Sequence, residues 1–494
     1  MSKTLEQFEQ YLDKMKKYEH INTLLYWDMR TCAPKLGQTG HIDALTYFST
    51  ESFAMSTSDE LYGMLETLKT PEEFAQLSDT MKFIVTRMQR DMEKDRRIPK
   101  DRYEVMVREQ AESGNAWEDA KNASDFSIFA PHLEKMIALT KEMAGYTDPG
   151  KEVYDVLLDK YEEGMDSATI DRLFGELKEA LIPLVKKILA AKQPDDTKFH
   201  AYFDPDDQRK VQDLLLSYIG FSKDAGAVGE TEHPFTLNFS SKDVRVTNPI
   251  SAMFSAIHEG GHAIFEQNVN PEYDNTAAGS CRYMGVHESQ SRFYENILGC
   301  NKNFWIPVYE KVQELMPQMK DISLDEFYRE INHVRNSLIR TEADEVTYCF
   351  HIILRYEMEK AIFRDNVPVA KLPELWNQKM KEYLDITPAN DAEGILQDMH
   401  WSDGSFGYFP SYLLGSIYDG MYLEELEKEL GPVDEILKEG RIKEITKWLN
   451  EKIHWYGSTR TPKEVIANVC GKEVSAEPLV RYFEKKYASV YDLK

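Results

Sequence analysis

Apolar residues recur at helical spacing along most of this chain, with polar residues between them, which is the pattern of helices that bury one face. The clearest stripes, which we expect to lie in the core, are Leu5, Phe8, Tyr11, Leu12 and Met15, and Leu173, Leu177, Leu181 and Leu184. Two short extended runs, 235–239 and 244–246, flank Ser240-Ser241-Lys242 and predict a small β-hairpin. The fold class is therefore predicted to be mainly α.

The domain organisation is predicted to be simple. The 494 residues contain no Ser/Gly-rich or low-complexity linker and no repeat of fixed period. We therefore expect one domain over residues 1–494, built as two lobes. The segments richest in Pro, Gly or Asp are the best candidates for joints; they are 193–207, 222–232 and 387–394.

The charge excludes some classes of partner. The chain has 59 Lys and Arg against 85 Asp and Glu, a formal net charge of −26. A field of this sign repels phosphate backbones and anionic lipids, so we expect neither nucleic acid nor a membrane as a partner. The first residues lack the apolar core of a signal peptide, and no run of about 18 apolar residues occurs. We expect a cytoplasmic protein.

The cysteines are scattered and contain no C-x-x-C pair. This distribution is typical of a reduced, cytosolic protein and favours neither disulfides nor thiol catalysis. We predict buried free thiols at Cys32, Cys281, Cys300, Cys349 and Cys470.

The segment His258-Glu259-Gly260-Gly261-His262 is the clearest candidate for chemistry. Histidines four apart lie on one helix face and can bind one zinc ion, and the glutamate between them then reaches the water on that metal. Asn248 and Pro249 predict the start of this helix. Each interior glycine costs about 1 kcal/mol relative to alanine, so we expect another element to pack against the backbone there. Without a third ligand, the motif would be ordinary helix surface.

The third zinc ligand must come from elsewhere, because a catalytic zinc keeps three protein ligands and one open position. The metzincin pattern fails, since Phe265 and Asn268 stand where glycine and histidine are needed. Segment 285–296 predicts a second helix beyond a loop. A helix–loop–helix can fold back so that Glu288 meets the two histidines.

Several motifs in this sequence resemble those of the M32 metallocarboxypeptidases, the carboxypeptidase Taq family. The family's His-Glu-Ser-Gln motif is matched by residues 287–290. Further matches are Trp27-Asp28-Met29-Arg30-Thr31, His233-Pro234-Phe235, Asp243-Val244-Arg245-Val246-Thr247, the Arg-x-x-Ala-Asp of Arg340 to Asp344, and Gly394-Ile395-Leu396-Gln397-Asp398-Met399-His400-Trp401. The resemblance covers nearly the whole chain. It implies a gluzincin-type fold with a deep cleft between two helical lobes, and a homodimer.

The resemblance also implies a metal site and an activity. Its third ligand is Glu288, so that His258, His262 and Glu288 would hold one zinc per chain, with cobalt as an alternative metal, and Glu259 would be the general base. The implied reaction removes single residues from peptide C-termini with broad side-chain tolerance. One alternative is an oligopeptidase or dipeptidyl-carboxypeptidase with the same zinc chemistry. Another is a non-catalytic peptide-binding protein, against which the intact Glu259 argues.

Segment 400–412 is the candidate source of an oxyanion donor, because it is rich in histidine and tyrosine. We rank Tyr408 first as donor, with His400 and Tyr412 as supporting groups. The alternative for each is ordinary packing in an aromatic-rich loop.

A carboxypeptidase must bind the free substrate carboxylate, which a guanidinium does with paired charge-assisted hydrogen bonds. Arg340 and Arg245 are the candidates. Either can instead brace a nearby acid, Asp344 for the first and Asp243 for the second. His233 is either a substrate-facing group or a turn residue before Pro234.

Overall fold

Most of the chain is helical, as the apolar spacing predicts. The computed structural model describes residues 2–200, 202–231, 234–248, 253–274, 276–279 and 281–493. The helices before the sheet are α1 Lys3–Thr31, α2 Gln38–Ser56, α3 Asp59–Leu68, α4 Pro71–Phe74, α5 Asp79–Asp95, α6 Lys100–Ala123, α7 Phe126–Thr147, α8 Val153–Tyr161, α9 Ser167–Ala190 and α10 Pro205–Ile219. The predicted joint at 193–207 covers most of the connection between α9 and α10 and the first residues of α10.

A three-stranded sheet follows α10, with strands β1 Gly226–Glu230, β2 Phe235–Ser240 and β3 Asp243–Asn248 in the order β1-β3-β2. The antiparallel pair β2–β3 confirms the predicted hairpin. Strand β1 pairs in parallel with β3 and lies inside the segment 222–232 that was predicted to be a joint. That segment is therefore part of the sheet.

The helices after the sheet carry the candidate site and most of the remaining core. They are α11 Met253–Gln267, α12 Met284–Arg292, α13 Lys302–Trp305, α14 Tyr309–Leu315, α15 Leu324–Ile331, α16 Glu345–Phe363, α17 Leu372–Leu384, α18 Phe409–Leu430, α19 Val433–Lys438, α20 Ile442–Lys452, α21 Pro462–Cys470 and α22 Glu477–Val490. Helix α12 continues directly into a π-helical turn, Phe293–Gly299. Asn248, the predicted cap of α11, is the last residue of β3, and Pro249 lies outside the described residues.

Within the described residues, most buried apolar side chains pack into two clusters. The smaller lies between α1, α3 and α5 and includes Phe8, Leu65 and Val85. The larger occupies the rest of the molecule and includes the predicted stripe of α9. Ion pairs of Arg87 and Arg90 with Glu163 help to join the α5 region to the larger body. The division into two lobes stays a prediction.

The cysteines are free thiols, as predicted. Three of them are buried and Cys470 is partly buried, but Cys32 is exposed at the end of α1, so the prediction of burial was wrong there. In the described part of the chain, no helix is long and apolar enough to cross a membrane.

Candidate active site

Helices α11 and α12 make an unusually close contact at Gly261. A Cβ at this position would lie 2.6 Å from the carbonyl oxygen of Gln290 and 2.8 Å from the Cα of Ser291. At Gly260 a Cβ would meet the side chains of Ile219 and Leu216 on α10. The prediction that other elements pack against both glycines is confirmed. The Gly261 contact brings the backbone next to Glu288 against the motif helix.

Three potential metal ligands converge where these helices meet. The ligand atoms of His258, His262 and Glu288 all lie within 4.8 Å of one another. Oε2 of Glu288 is 3.7 Å from Nε2 of His258 and 3.5 Å from Nε2 of His262. Ligands at tetrahedral zinc are about 3.4 Å apart, so the donor set and its spacing fit this metal.

The other ring nitrogen of His258 is held by Glu295 of the π-helical turn, at 2.8 Å from Nδ1 to Oε2. Burial opposes the charged imidazole, but Glu295 and Glu288 outweigh it and raise the pKa of His258 to about 9. A carboxylate on Nδ1 fixes the ring orientation and leaves Nε2 toward the metal position. Sequence analysis did not identify Glu295.

His262 is oriented by a buried relay. Its Nδ1 lies 2.6 Å from Nδ1 of His287, and Nε2 of His287 lies 2.8 Å from Oε1 of Glu266. Asn238 of β2 donates a hydrogen bond to the same carboxylate. Burial and then His287 lower the pKa of His262 to about 3, so its ring is neutral and keeps a lone pair for a metal.

The protons of this relay can be placed by chemistry. When His262 binds a metal through Nε2, its Nδ1 carries the proton and donates to Nδ1 of His287. Nε2 of His287 then donates to the Glu266 carboxylate. Each nitrogen and the carboxylate have a matching partner in this arrangement, so His287 and Glu266 are positioning residues for His262.

Glu288 is held in its ionised form. Arg292 donates from Nε to Oε1 at 2.6 Å, and Ser291 donates from Oγ to Oε2 at 3.2 Å. Burial works against the charge, but Arg292 and His258 hold the pKa of Glu288 well below its usual range. The Arg292 guanidinium in turn stacks 4.0 Å from the ring centre of Tyr348.

Glu259 points to the opposite side of the helix from Gly261 and contacts the sheet. Thr236 of β2 donates from Oγ1 to Oε2 of Glu259 at 2.6 Å. The carboxylate is buried, with 5% of the residue exposed, and burial raises its pKa above the usual value. A carboxylate that is easier to protonate than usual is suited to accept a proton.

A cavity of about 290 Å³ opens over these groups. Its walls come from β2, α11, α12 and the start of α18, and they include the predicted tyrosines Tyr408 and Tyr412. Burial raises the pKa of Tyr408 well above its usual value, so the hydroxyl remains a proton-bearing donor. His400 lies behind the tyrosines, with Nε2 3.3 Å from Oη of Tyr412. The fold therefore places the predicted segment 400–412 beside the three potential metal ligands.

The loop before Tyr408 is fixed by the buried carboxylate of Glu359. This carboxylate accepts hydrogen bonds from Trp401 Nε1 at 3.0 Å and from the Gly407 N–H at 3.0 Å. Gly407 has a φ of +85°, and a Cβ there would lie 2.7 Å from the backbone of Leu157. Glycine is therefore required at this turn, which places Tyr408 at the start of α18.

The predicted carboxylate-binding arginines occupy different places. Arg340 donates to Asp398 Oδ1 at 2.9 Å and to Tyr348 Oη at 3.1 Å, and its guanidinium lies 5.1 Å from the ring centre of Tyr412. It therefore braces Asp398, whereas Asp344, its expected partner, caps α16. Arg340 lies directly behind the cavity wall.

Arg245 forms the paired contact with Asp243 that was the alternative for it, at 2.9 Å and 2.8 Å. Its guanidinium stacks over Phe239 and also lies near the ring of Trp27. His233, the third predicted substrate-binding residue, lies outside the described residues.

Known proteins resemble this chain over almost its whole length. Residues 7–487 match the family described as Carboxypeptidase Taq (M32) metallopeptidase. The chain is 42% identical to carboxypeptidase 1 of Bacillus subtilis (strain 168), over 98% of each chain. It is 35% identical to thermostable carboxypeptidase 1 of Thermus thermophilus, over 95% of this chain and 96% of that one.

A solved structure shows the same similarity to carboxypeptidases over the whole chain. The crystal structure of M32 carboxypeptidase from Deinococcus radiodurans R1 superposes with a TM-score of 0.96 at 28% identity, covering 99% of this chain and 100% of the other. The helical fold, the three converging metal-ligand side chains and the similarity to known carboxypeptidases all indicate the same family. The chain therefore belongs to the carboxypeptidase Taq (M32) family and is a metallocarboxypeptidase that hydrolyses peptide bonds.

Proposed function

We propose that His258, His262 and Glu288 bind one zinc ion per chain and that the site removes single residues from peptide C-termini with broad side-chain tolerance. The observation that carries this proposal is the convergence of the three ligand atoms within 4.8 Å. Cobalt fits the same donor set and is the alternative metal. A metal bound there supplies Lewis-acid chemistry, acidifying water and polarising the peptide carbonyl.

Glu259 acts as the general base. Its Oε2 is fixed by the hydroxyl of Thr236 and faces the cavity that holds the three ligands. Oε2 accepts the proton of the attacking water, and the resulting carboxylic acid passes that proton to the leaving amine. The raised pKa of Glu259 favours the first half of this transfer, in which the carboxylate accepts the proton.

Tyr408 stabilises the oxyanion that develops on the substrate carbonyl. Its hydroxyl lines the cavity, and its backbone is fixed by the Glu359 carboxylate through Gly407. A donor that is already in place needs no reorganisation when charge develops. His400 supports this arrangement through Oη of Tyr412.

Arg340 recognises the terminal carboxylate of the substrate. Its guanidinium stacks on Tyr412, a wall of the cavity, and Asp398 fixes its orientation. Asp398 also pairs with the buried Arg355, so this single carboxylate does not neutralise both guanidinium groups. The pair of cations retains a net positive charge for a substrate carboxylate.

The metal proposal is tested by measuring metal content and hydrolysis together. Chelation should abolish hydrolysis, and added zinc or cobalt should restore it at one equivalent per chain. Glu288→Ala should lose the metal while the protein stays folded. Full activity in metal-free protein would refute the proposal.

The position of cleavage is tested by mass spectrometry of products from peptides with free and amidated C-termini. We expect stepwise loss of single C-terminal residues from the free acids and slow cleavage of the amides. Release of dipeptides, or equal cleavage of both series, would instead assign the site to a dipeptidyl-carboxypeptidase or an oligopeptidase.

The role of Arg340 is tested on the same peptides. Arg340→Ala should weaken cleavage of free acids through loss of a charge-assisted contact of about 1.5–3 kcal/mol and should hardly change cleavage of amides. Arg245→Ala is the matched control, because Arg245 also pairs with an aspartate but stacks on Phe239, which does not line the cavity, whereas Arg340 stacks on Tyr412, which does. Equal losses on acids and amides would show that Arg340 is structural.

The dimer proposed next rests on the family resemblance, whereas the location and the excluded partners rest on the net charge, the scattered cysteines and the lack of long apolar runs. We propose a cytoplasmic homodimer of single-domain chains that binds neither nucleic acid nor membrane. The mass in solution, measured by light scattering during size-exclusion chromatography, tests the dimer.

A further inference from the structure

A second cavity, of about 450 Å³, lies between the N-terminal helices and the sheet. None of the catalytic groups described above lines it. Its wall carries hydroxyl groups at Thr23, Ser52, Ser56, Ser240 and Thr276 and one lysine, Lys16; the carboxylates of Glu19 and Asp274 also line it. Its position along strand β2 and the polar groups of its wall indicate the kind of ligand that it binds.

Strand β2 connects the two cavities. Thr236 bonds to Glu259 and lines the active-site cavity, whereas Asn238, two residues further on, bonds to Glu266 and lines the second cavity. Two residues of an extended strand span about 7 Å. Strand β2 is also an edge of the sheet, so alternate N–H and C=O groups point away from β3. An extended peptide lying along this edge would run from one cavity into the other.

The direction of that peptide follows from helix α11. Ala343 and Asp344 line one surface with Phe254, near the N-terminal end of α11, which places the nearby Arg340 toward that end. The second cavity lies at the other end, beside Glu266. A substrate whose carboxylate is held by Arg340, as in the proposed function, therefore directs its upstream residues toward the second cavity.

Lys16 is the unusual group in this cavity. Its Nζ is buried and has no hydrogen-bond or ion-pair partner among the described residues. Burial lowers the pKa of Lys16 to about 8, although Asp274 and Asp13 partly oppose this effect. Asp274 is already engaged by the N–H and Oγ of Ser241. A buried ammonium without a partner is costly, and a bound anion would remove that cost.

We propose that the second cavity is a subsite for substrate residues upstream of the cleaved bond and that Lys16 selects an acidic side chain there. The span along β2 places that side chain about two to four residues upstream of the cleaved bond. The hydroxyl groups of Thr23 and Ser52 supply further donors for a carboxylate, whereas that of Ser56 already donates to the Phe53 carbonyl. This inference rests on the proposed direction of cleavage.

The test compares peptides that differ only by glutamate, glutamine or lysine at one upstream position, scanned from the second to the fourth. The wild type should prefer glutamate at one position by about tenfold in kcat/KM, mainly through KM. Lys16→Met should abolish the preference, and Lys16→Glu should invert it in favour of lysine. Lys14→Met is the matched control, because Lys14 is an exposed lysine of α1 that does not line the cavity.

A dipeptide with a blocked N-terminus and a free C-terminus is too short to reach the second cavity. Its cleavage therefore separates this inference from the proposed function. All four proteins should cleave it at the same rate. Failure of the wild type to cleave it would refute the proposed function. Normal cleavage without any glutamate preference, or a preference that survives in Lys16→Met, would refute the subsite.

Discussion

Replacing Gly261 with alanine should damage the metal site without touching any ligand. The added Cβ would lie 2.6 Å from the carbonyl oxygen of Gln290 and 2.8 Å from the Cα of Ser291. Both atoms belong to the backbone of α12, so no side-chain rotation can relieve the contact. Helix α12 must move away from α11, and Glu288 moves with it.

The size of the effect follows from these distances. An ordinary contact begins at 3.4 Å, so α12 must shift by about 0.8 Å. Metal–ligand distances tolerate about 0.2 Å, which makes this shift large for the site. We expect metal affinity to fall by at least about 100-fold, the upper end for loss of a supporting residue. The overpacking itself should cost about 1–3 kcal/mol of stability.

Gly260→Ala is the matched control. Its Cβ would meet the ends of the Ile219 and Leu216 side chains, which can rotate, and alanine gains about 1 kcal/mol in helix propensity. Affinity is measured by competition with a chromogenic chelator, and folding by circular dichroism. Wild-type affinity in Gly261→Ala, or equal losses in both variants, would show that the helix contact does not set the ligand geometry.

Five further substitutions separate metal binding from chemistry. Glu259→Gln should keep the metal and lower turnover by at least about 100-fold, because the amide cannot accept a proton; loss of metal in this variant would contradict the assigned role. Tyr408→Phe should raise the barrier by about 3 kcal/mol with little change in metal content, and a larger loss in Tyr412→Phe would reverse the ranking of the two tyrosines. Glu266→Gln and His287→Ala should each weaken metal binding by about 10- to 100-fold with their far-ultraviolet spectra unchanged; unaltered affinity would show that the relay does not orient His262.

Several parts of the site could be predicted from the sequence because they depend on local spacing. The histidines of α11 share a face through their four-residue separation, and the cost of two glycines correctly indicated close packing. The hairpin followed from two extended runs around a short polar turn. The resemblance then identified Glu288, which the structure places beside both histidines.

Other parts depend on contacts that local patterns do not encode. Strand β1 has one Val among small and charged residues, so no alternation marked it; its pairing with β3 defines it. Glu295 reaches His258 from a π-helical turn, where ordinary helical spacing does not apply. Glu266 lies one turn beyond His262, and this spacing could have suggested that it supports the histidine. Its link to His262 runs through His287, however, and that contact requires the tertiary fold. Arg340 meets Asp398, 58 positions away, instead of the nearby Asp344.

The two separate apolar clusters have a consequence for how the molecule opens. Because α1, α3 and α5 bury their side chains in a core of their own, these helices can separate from the sheet without exposing the larger core. The metal ligands belong entirely to helices around the larger core, so bound metal should stabilise that unit and leave the smaller one unchanged. Helix α1 also covers β2, with Tyr26 and Trp27 packed against Phe235. We expect the N-terminal helices to form a local unfolding unit whose opening exposes Phe235 of β2 at a free energy below that of global unfolding.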